Sequence, residues 1–344
     1  MRQRKTPTAI DLFCGCGGVT EGLKQSGFEV VAAIDNDPIC CSTYRINHPN
    51  VMLYEADIES IDPQQLKNKC KIKKLDLLVV CAPCQPFSSL NKKPENDTRV
   101  NLILHAIRFS KVLKPEFIFF ENVPGLSRYT GIIDKLRTEL DVLGYFLSDP
   151  LQVDAADYNV PQRRVRCIMI ASNNGKKFGI PSPTTPEGKR YTVRRAFSLL
   201  QKNLNDSLHV ERNHTAITIE RLRYVPHDGG SRYEIPYHLW LNCHKKLKKS
   251  KNSFPDVLGR MSWDNVAPTL TTGCTDVTKG RFAHPEFDRA ITLREAALLQ
   301  TFPLEYEFCG KSGDIAKQIG NAVPVNLVKS FAPAFLSKQA REDT

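Results

Sequence analysis

Cys84 lies between two prolines in the stretch Val79-Val80-Cys81-Ala82-Pro83-Cys84-Gln85-Pro86-Phe87-Ser88. Leu75, Leu77, Leu78, Val79 and Val80 read as a short buried strand, and the prolines stop regular structure from continuing. Cys84 therefore falls on a bend at a strand end, where a thiol can face a ligand instead of the core. A nucleophilic thiol needs such a place, because it must reach its substrate and keep enough thiolate to attack. Two other readings stay open on this stretch: a buried structural thiol and, from the spacing Cys81-x-x-Cys84, a redox pair. Glu121 is a second candidate, because it directly follows the apolar run Phe117-Ile118-Phe119-Phe120 and precedes Asn122. Partial burial there favours a carboxyl that can hold a proton; a loop salt bridge or helix cap is the plainer use. Gln162-Arg163-Arg164-Val165-Arg166 leads into the strand Cys167–Ala171. Alternation puts Arg164 and Arg166 on one face, a pair suited to phosphate or a pyrimidine carbonyl, or simply a basic strand edge.

The elements that must position these residues follow a regular order. Thr8-Ala9-Ile10-Asp11-Leu12-Phe13 reads as a strand feeding the turn Cys14-Gly15-Cys16-Gly17-Gly18, then a helix from Val19 to near Ser26. The glycines let backbone approach a ligand where a Cβ would collide. A second strand over Phe28–Ile34 ends in Asp35, placed to accept hydrogen bonds from ribose hydroxyls. Thr20 stands where G-x-G-x-x-G has its third glycine, which favours an adenosine-type ligand such as S-adenosylmethionine over a dinucleotide. Asp57 suits the exocyclic amine of adenine, or is a loop cap. Apolar residues at helical spacing mark one helix from Arg99 to Leu113, ended by Pro115, and another over Ile132–Leu143, closed by Gly144. Strand–helix alternation of this kind predicts an α/β fold with a doubly wound, mostly parallel sheet and ligands at the carboxyl ends of its strands.

The chain has 344 residues, 41% hydrophobic and 25% charged, the balance of a globular protein with one large core and a smaller domain, or two comparable ones. No apolar stretch approaches the length of a transmembrane helix, and the basic N-terminus lacks a signal-peptide core. Eleven cysteines without scaffold spacing suit a reducing compartment, so the expected location is cytoplasmic. A formal charge of +11 favours a polyanionic partner. No zinc-like pairing of cysteines is visible, so no metal is expected. From near Asn173 the texture changes: Pro181–Pro186 looks like a linker, and basic clusters such as His244–Lys251 follow. Order returns with Thr292 and Glu295, a capping box, and with a last helix from Val325 to near Ser337. The expected division is a catalytic, cofactor-binding domain over 1–172 and 305–344 and an irregular domain over 173–304.

These blocks, in order, resemble the DNA cytosine-5 methyltransferases. They are Asp11–Gly18, Asp35, Asp57, Pro83–Ser88, Glu121-Asn122-Val123, Gln162–Arg166, Arg294–Ala297 with Gln300–Pro303, and Gln318–Pro324. They cover nearly the whole chain except 173–285, which in this family is the target-recognition domain. The resemblance implies a Rossmann-like, S-adenosylmethionine-dependent enzyme acting on double-stranded DNA. The Cys84 thiolate would add to carbon 6 of a flipped-out cytosine, making carbon 5 an acceptor for methyl and leaving S-adenosylhomocysteine. Glu121 would hold a proton at ring nitrogen 3 with Asn122 orienting it, while Arg166 and Arg164 would contact the pyrimidine carbonyl or hold the catalytic loop. Phe13, Gly15, Gly17, Gly18, Asp35, Asn36, Asp57, Ile58, Pro83, Leu102, Asn321 and Val323 would form the cofactor site. Gln85, Ser88, Arg232, Arg260 and Arg281 are candidate DNA contacts. Two departures stand out: Asn36 replaces an aromatic residue, and Cys81-Ala82 replaces the usual Gly and Pro. The implied enzyme is a monomer acting in restriction-modification, with a cognate endonuclease as a possible functional partner, or an orphan enzyme. A tRNA methyltransferase and an inactive DNA-binding regulator are the alternatives.

Overall fold

In the computed structural model, residues 6–83, 98–173, 180–200, 206–246 and 255–336 are described. Contacts divide the chain into two units: one of residues 1–158, 165–184 and 323–344, the other of 159–164 and 185–322. Residues 305–322, expected with the first domain, thus group with the second.

The first unit alternates strand and helix: β1 (Thr8–Leu12), α1 (Gly18–Gln25), β2 (Glu29–Asp35), α2 (Pro38–Asn47), β3 (Met52–Glu55), α3 (Pro63–Lys69) and β4 (Leu77–Val80). It continues with α4 (His105–Leu113), β5 (Phe117–Asn122), α5 (Thr130–Val142), β6 (Phe146–Leu147), β7 (Leu151–Asp154) and β8 (Val165–Ser172). The sheet runs β3-β2-β1-β4-β5-β8-β6, with β7 also paired to β8. The pairs among β1 to β5 are parallel, and β8 runs antiparallel to β5, β6 and β7. The chain winds outward from β1 through β2 to β3, then restarts at β4 on the other side. The crevice beyond β1 and β4 is therefore the topological switch point, where open α/β sheets bind ligands.

Local sequence explains most of these elements. Strands covered on both faces read as continuous apolar runs, and every residue of β4 and β5 is buried. Each such fully buried aliphatic or aromatic side chain contributes about 1.5–3 kcal/mol. Asp37 and Asp62 cap α2 and α3 through side-chain oxygens, each followed by a proline whose missing N–H costs nothing there. The helix expected from Arg99 begins instead as a 3₁₀ stretch, Thr98–Leu104, and becomes α-helical at His105.

The second unit is mostly irregular: α6 (Val193–Phe197), α7 (Ala216–Arg223), α8 (Asn242–Lys246), α9 (Leu293–Leu299) and α10 (Ser312–Asn321) are its helices among the described residues. With so little regular structure, its carbonyls need side-chain donors, and arginines supply them. Arg260 is fully buried and donates to the carbonyls of Leu222 (3.0 Å), Val225 (3.0 Å), His284 (3.1 Å) and Phe287 (2.6 Å), and to Asp288. Arg281 bonds the carbonyls of Gly229, Gly230 and Arg260 and the Asp256 carboxylate. Arg232 is buried beside the rings of Tyr233 and Trp240. The three arginines expected to reach DNA are thus turned inward and hold this unit together. Their basic, loop-rich setting in sequence gave no sign of that.

The chain returns to the first unit with α11 (Val325–Phe331), which Pro333 prevents from continuing as an α-helix, so a 3₁₀ turn, Ala332–Phe335, replaces the expected run to Ser337. Phe331 and Phe335 pack on Phe119 of β5, with ring centres 5.6 and 5.7 Å away. A Cβ on Gly22 would lie 2.6 Å from Val328 Cβ, so only glycine lets α1 and α11 meet this closely.

Candidate active site

Strand register brings the candidate residues to one edge. Leu12 pairs with Val80, and Val80 with Phe120, so the next residues along each strand, Phe13, Cys81 and Glu121, all emerge at the carboxyl end. Phe13 leaves β1 with φ at 61°, a left-handed conformation costly for a bulky residue. Gly15 (φ 53°) and Gly17 (φ 94°) follow, and Gly17 opens α1 without a side-chain cap. A Cβ on Gly15 would meet nothing within 4 Å, so the turn has open space on that side.

Asp35 holds the turn in shape. Its Oδ2 accepts from the Gly15 amide at 2.8 Å and its Oδ1 from the Asp37 amide at 2.9 Å. Burial pushes its carboxyl above the usual range, against the pull of those amides. Each oxygen of a carboxylate keeps a further lone pair, so a ribose hydroxyl can still be accepted.

Below the turn lies a buried polar chain that pattern reading missed. Asp11 is fully buried; its Oδ2 accepts from Thr20 Oγ1 at 2.9 Å, and Thr20 meets Tyr44 Oη at 2.8 Å. Burial raises the Asp11 carboxyl to about 7, and no described residue bonds its Oδ1. Thr20 thus has a reason to stand where a nucleotide fingerprint would have glycine. Only the polar residue inside an otherwise apolar strand hinted at this arrangement.

Around the turn, Asn36 is exposed, and the exposed Asp57 caps the turn at Ile58 by accepting from the Glu59 amide at 2.9 Å. Ile58 is buried, Pro83 and Leu102 are half-buried, and Val323 is 6% exposed in the same unit. Gly18 is the first residue of α1. Asn321 ends α10 in the second unit.

Glu121 is 7% exposed, and its Oε1 lies 2.9 Å from Arg166 Nε. Arg166 is held by its own donation to the Val165 carbonyl at 2.8 Å. Among the described residues, nothing hydrogen-bonds the second carboxylate oxygen of Glu121. Asn122 Nδ2 donates to the Ala82 carbonyl at 3.0 Å, while its Oδ1 accepts from the Val123 amide at 2.9 Å. That side chain ties the backbone at Ala82 to β5. Cys84, Gln85 and Ser88 lie outside the described residues.

Burial, reinforced by the nearby Glu121 and Asp11 carboxyls, pushes the Cys81 thiol well up. A thiol held protonated is a poor nucleophile, which weighs against a Cys81–Cys84 dithiol.

Arg164 does not join Arg166 as alternation suggested. It precedes β8 and belongs to the second unit, where it is 2% exposed and donates to the carbonyls of Leu270 (3.2 Å), Gly320 (3.0 Å) and Ala322 (3.0 Å). Gln162 and Gln300 join the same knot: Gln162 Nε2 donates to Gln300 Oε1 at 2.9 Å, and Gln300 Nε2 to the Ile319 carbonyl at 2.6 Å. A Cβ on Gly320 would lie 2.4 Å from the Thr271 carbonyl oxygen. Residues from three of the motif blocks, Arg164 with Gln162, Gln300 and Gly320, therefore serve as scaffolding of the second unit.

The chain is 40% identical to the Type II methylase M.HgiDII of Herpetosiphon aurantiacus over 94% of its own length and 93% of that protein. It is 36% identical to the Type II methyltransferase M.PspPI of a Psychrobacter species, over 95% and 78%. The fold is similar to that of a prophage-encoded protein of E. coli (TM-score 0.74, 23% identity, 95% and 97% covered). It also resembles the methyltransferase EhMeth of Entamoeba histolytica (TM-score 0.67, 18% identity, 96% and 98% covered). The profile of the C-5 cytosine-specific DNA methylases matches residues 8–336, and the chain belongs to that family.

Proposed function

We propose that this chain methylates carbon 5 of a flipped-out cytosine in a specific duplex DNA sequence, with Cys84 as nucleophile and Glu121 as the proton-holding group. The observation that carries the assignment is the Glu121–Arg166 pair, buried at the strand-end level of the glycine turn, with one carboxyl oxygen uncommitted among the described residues.

Cytosine carbon 5 is a weak nucleophile until a thiolate adds at carbon 6. Addition pushes electron density toward ring nitrogen 3, and Glu121 holds a proton there while Arg166 fixes the orientation of its carboxyl. Asn122 positions the backbone that carries Cys84. Carbon 5, now nucleophilic, takes the methyl group, and loss of its proton then expels the thiolate and restores the aromatic ring. None of these atoms is reachable in stacked DNA, so the base must leave the helix.

S-adenosylmethionine, when bound, supplies an electrophilic methyl group. The residues present fit it: open space beside Gly15, a glycine turn that exposes backbone, and Asp35 with lone pairs left for ribose. Phe13, Asp57, Ile58, Pro83, Leu102 and Val323 supply the adenine end in this reading.

Relatives named as Type II methylases support a role in restriction-modification; in this reading a cognate endonuclease is a functional partner that forms no stable complex with the enzyme. It acts as a monomer in the cytoplasm, where its thiols stay reduced. No described helix is long and apolar enough to cross a membrane. Bisulfite sequencing of DNA from cells expressing the chain tests the assignment: protected cytosines in one short sequence are expected, and Cys84→Ser removes them while Cys81→Ser does not. Protection absent from DNA but present in tRNA overturns it.

A further inference from the structure

With Arg232, Arg260 and Arg281 turned inward, contacts from the second unit to a polyanion must come from side chains that face out. One short turn presents such a set. Ile235 (4% exposed) and Leu239 (6%) anchor it in an apolar cluster with Leu222 and Val225. Trp240 adds a hydrogen bond from its indole to the Ile235 carbonyl at 2.7 Å. Between those anchors Tyr237 is 61% exposed, the most exposed aromatic side chain among the described residues. Its ring centre lies 5.5 Å from that of Trp240 and 5.8 Å from Lys245 Nζ, which itself donates to the His238 carbonyl at 3.0 Å. Arg232 stands behind, with its guanidinium 4.7 Å from the ring of Tyr233, which is 43% exposed.

A solvated tyrosine is commonly a surface residue without a task, and a mobile one would carry no argument. Here the backbone on both sides is anchored, so the ring is held in water at little further entropic cost on binding. Ring and cation alternate along the turn, an arrangement that offers flat apolar faces and positive charge together. The chain carries a formal charge of +11, which makes the complementary partner anionic.

We infer that the turn around Tyr237, with Lys245 beside it, is a contact element for duplex DNA: the Tyr237 hydroxyl and Lys245 meet phosphates while the ring lies against deoxyribose. This rests on the methyltransferase reading above. Phosphate contacts fix register on the duplex and supply salt-dependent affinity, whereas base edges carry sequence. The turn therefore governs affinity for DNA and leaves the recognition sequence unchanged.

The test is steady-state methyl transfer to duplex DNA by the full chain. Tyr237→Ala is expected to raise the KM for DNA about tenfold at unchanged kcat, with S-adenosylhomocysteine binding by calorimetry unaltered. Lys245→Gln is expected to reduce the slope of log affinity against log salt by about 1. Should Tyr237→Ala fail to fold, the Lys245→Gln slope decides alone. KM and salt slope that match those of the unaltered chain overturn the inference. If the unaltered chain methylates no DNA, the functional reading fails separately, and salt-dependent retention of a labelled duplex by the same variants still judges the contact.

Discussion

Among the described residues each unit buries an arginine–glutamate pair, and the two are built differently. In the second unit Glu295 is fully engaged: Arg289 donates to both of its oxygens at 2.8 Å, the Thr292 amide donates at 2.7 Å, and His284 Nε2 stands 3.8 Å away. Burial pushes the Glu295 carboxyl up, but the bonds from Arg289 outweigh it and hold the group below its ordinary range. Stacked on Phe197 and Phe287, His284 is held down to about 4 by burial. In the first unit Glu121 meets Arg166 through one oxygen only among the described residues. A buried ion pair with every lone pair satisfied has nothing left to offer a substrate, whereas one with a free oxygen retains a binding function. The same two residue types thus serve architecture in one place and chemistry in the other.

Mutations at the two glutamates test that contrast most directly. Glu121→Gln, which keeps a side-chain oxygen for Arg166, is expected to lower kcat about a hundred- to a thousandfold while the variant remains folded, with a smaller loss of stability than Glu295→Ala. A kcat within about threefold of the parent would return Glu121 to the structural class. Glu295→Ala strands the Arg289 charge inside the protein and should cost about 3–5 kcal/mol of stability, read as a lowered denaturation midpoint. An unchanged midpoint would show that the pair contributes nothing.

The arginines give a smaller version of the same contrast. Arg166→Lys removes the Nε contact to Glu121 and is expected to reduce kcat about tenfold without loss of fold. Arg164→Lys loses a fork shared among three carbonyls and should cost about 2–3 kcal/mol of stability, with kcat per folded molecule unchanged. The opposite assignment of losses would make Arg164 the catalytic arginine.

The smallest effect concerns pH. Burial raises Asp11 from 3.8 to about 7, so between those values the folded chain keeps a proton that the unfolded chain releases. Stability from this group is therefore present below the unfolded value and falls as pH rises toward the folded one. Asp11→Asn keeps the shape, removes the titration and should flatten that fall, measured as denaturant midpoints at pH about 5 and about 7.5. Parallel curves for parent and variant would show that Asp11 does not titrate there.

Much of the first unit was legible because its signals are local. Continuous apolar runs give buried parallel strands and the glycine turn opens a helix as read; in the second unit the capping box of Thr292 and Glu295 forms as read. Glu121 could be singled out because a carboxyl after four buried residues is costly without a use. What failed were inferences that treated charge as exposure. Arg164, Arg232, Arg260 and Arg281 all looked like ligands for an anion, yet Arg164, Arg260 and Arg281 spend their donors mostly on carbonyls far away in sequence, which no local pattern reveals, and Arg232 is buried against the rings of Tyr233 and Trp240. Asp11 escaped notice for the complementary reason: its partner Thr20 is near in sequence, but its complete burial is a property of the sheet.

By itself the sequence determined the strand–helix alternation of a doubly wound sheet, the glycine turn, and the Glu121 carboxyl at a strand end, because periodicity, proline and glycine act over a few residues. The tertiary structure alone decided which charged groups are free to act. That choice depends on where each guanidinium finds its carbonyls, and the partners of Arg164 lie between 106 and 158 residues away along the chain.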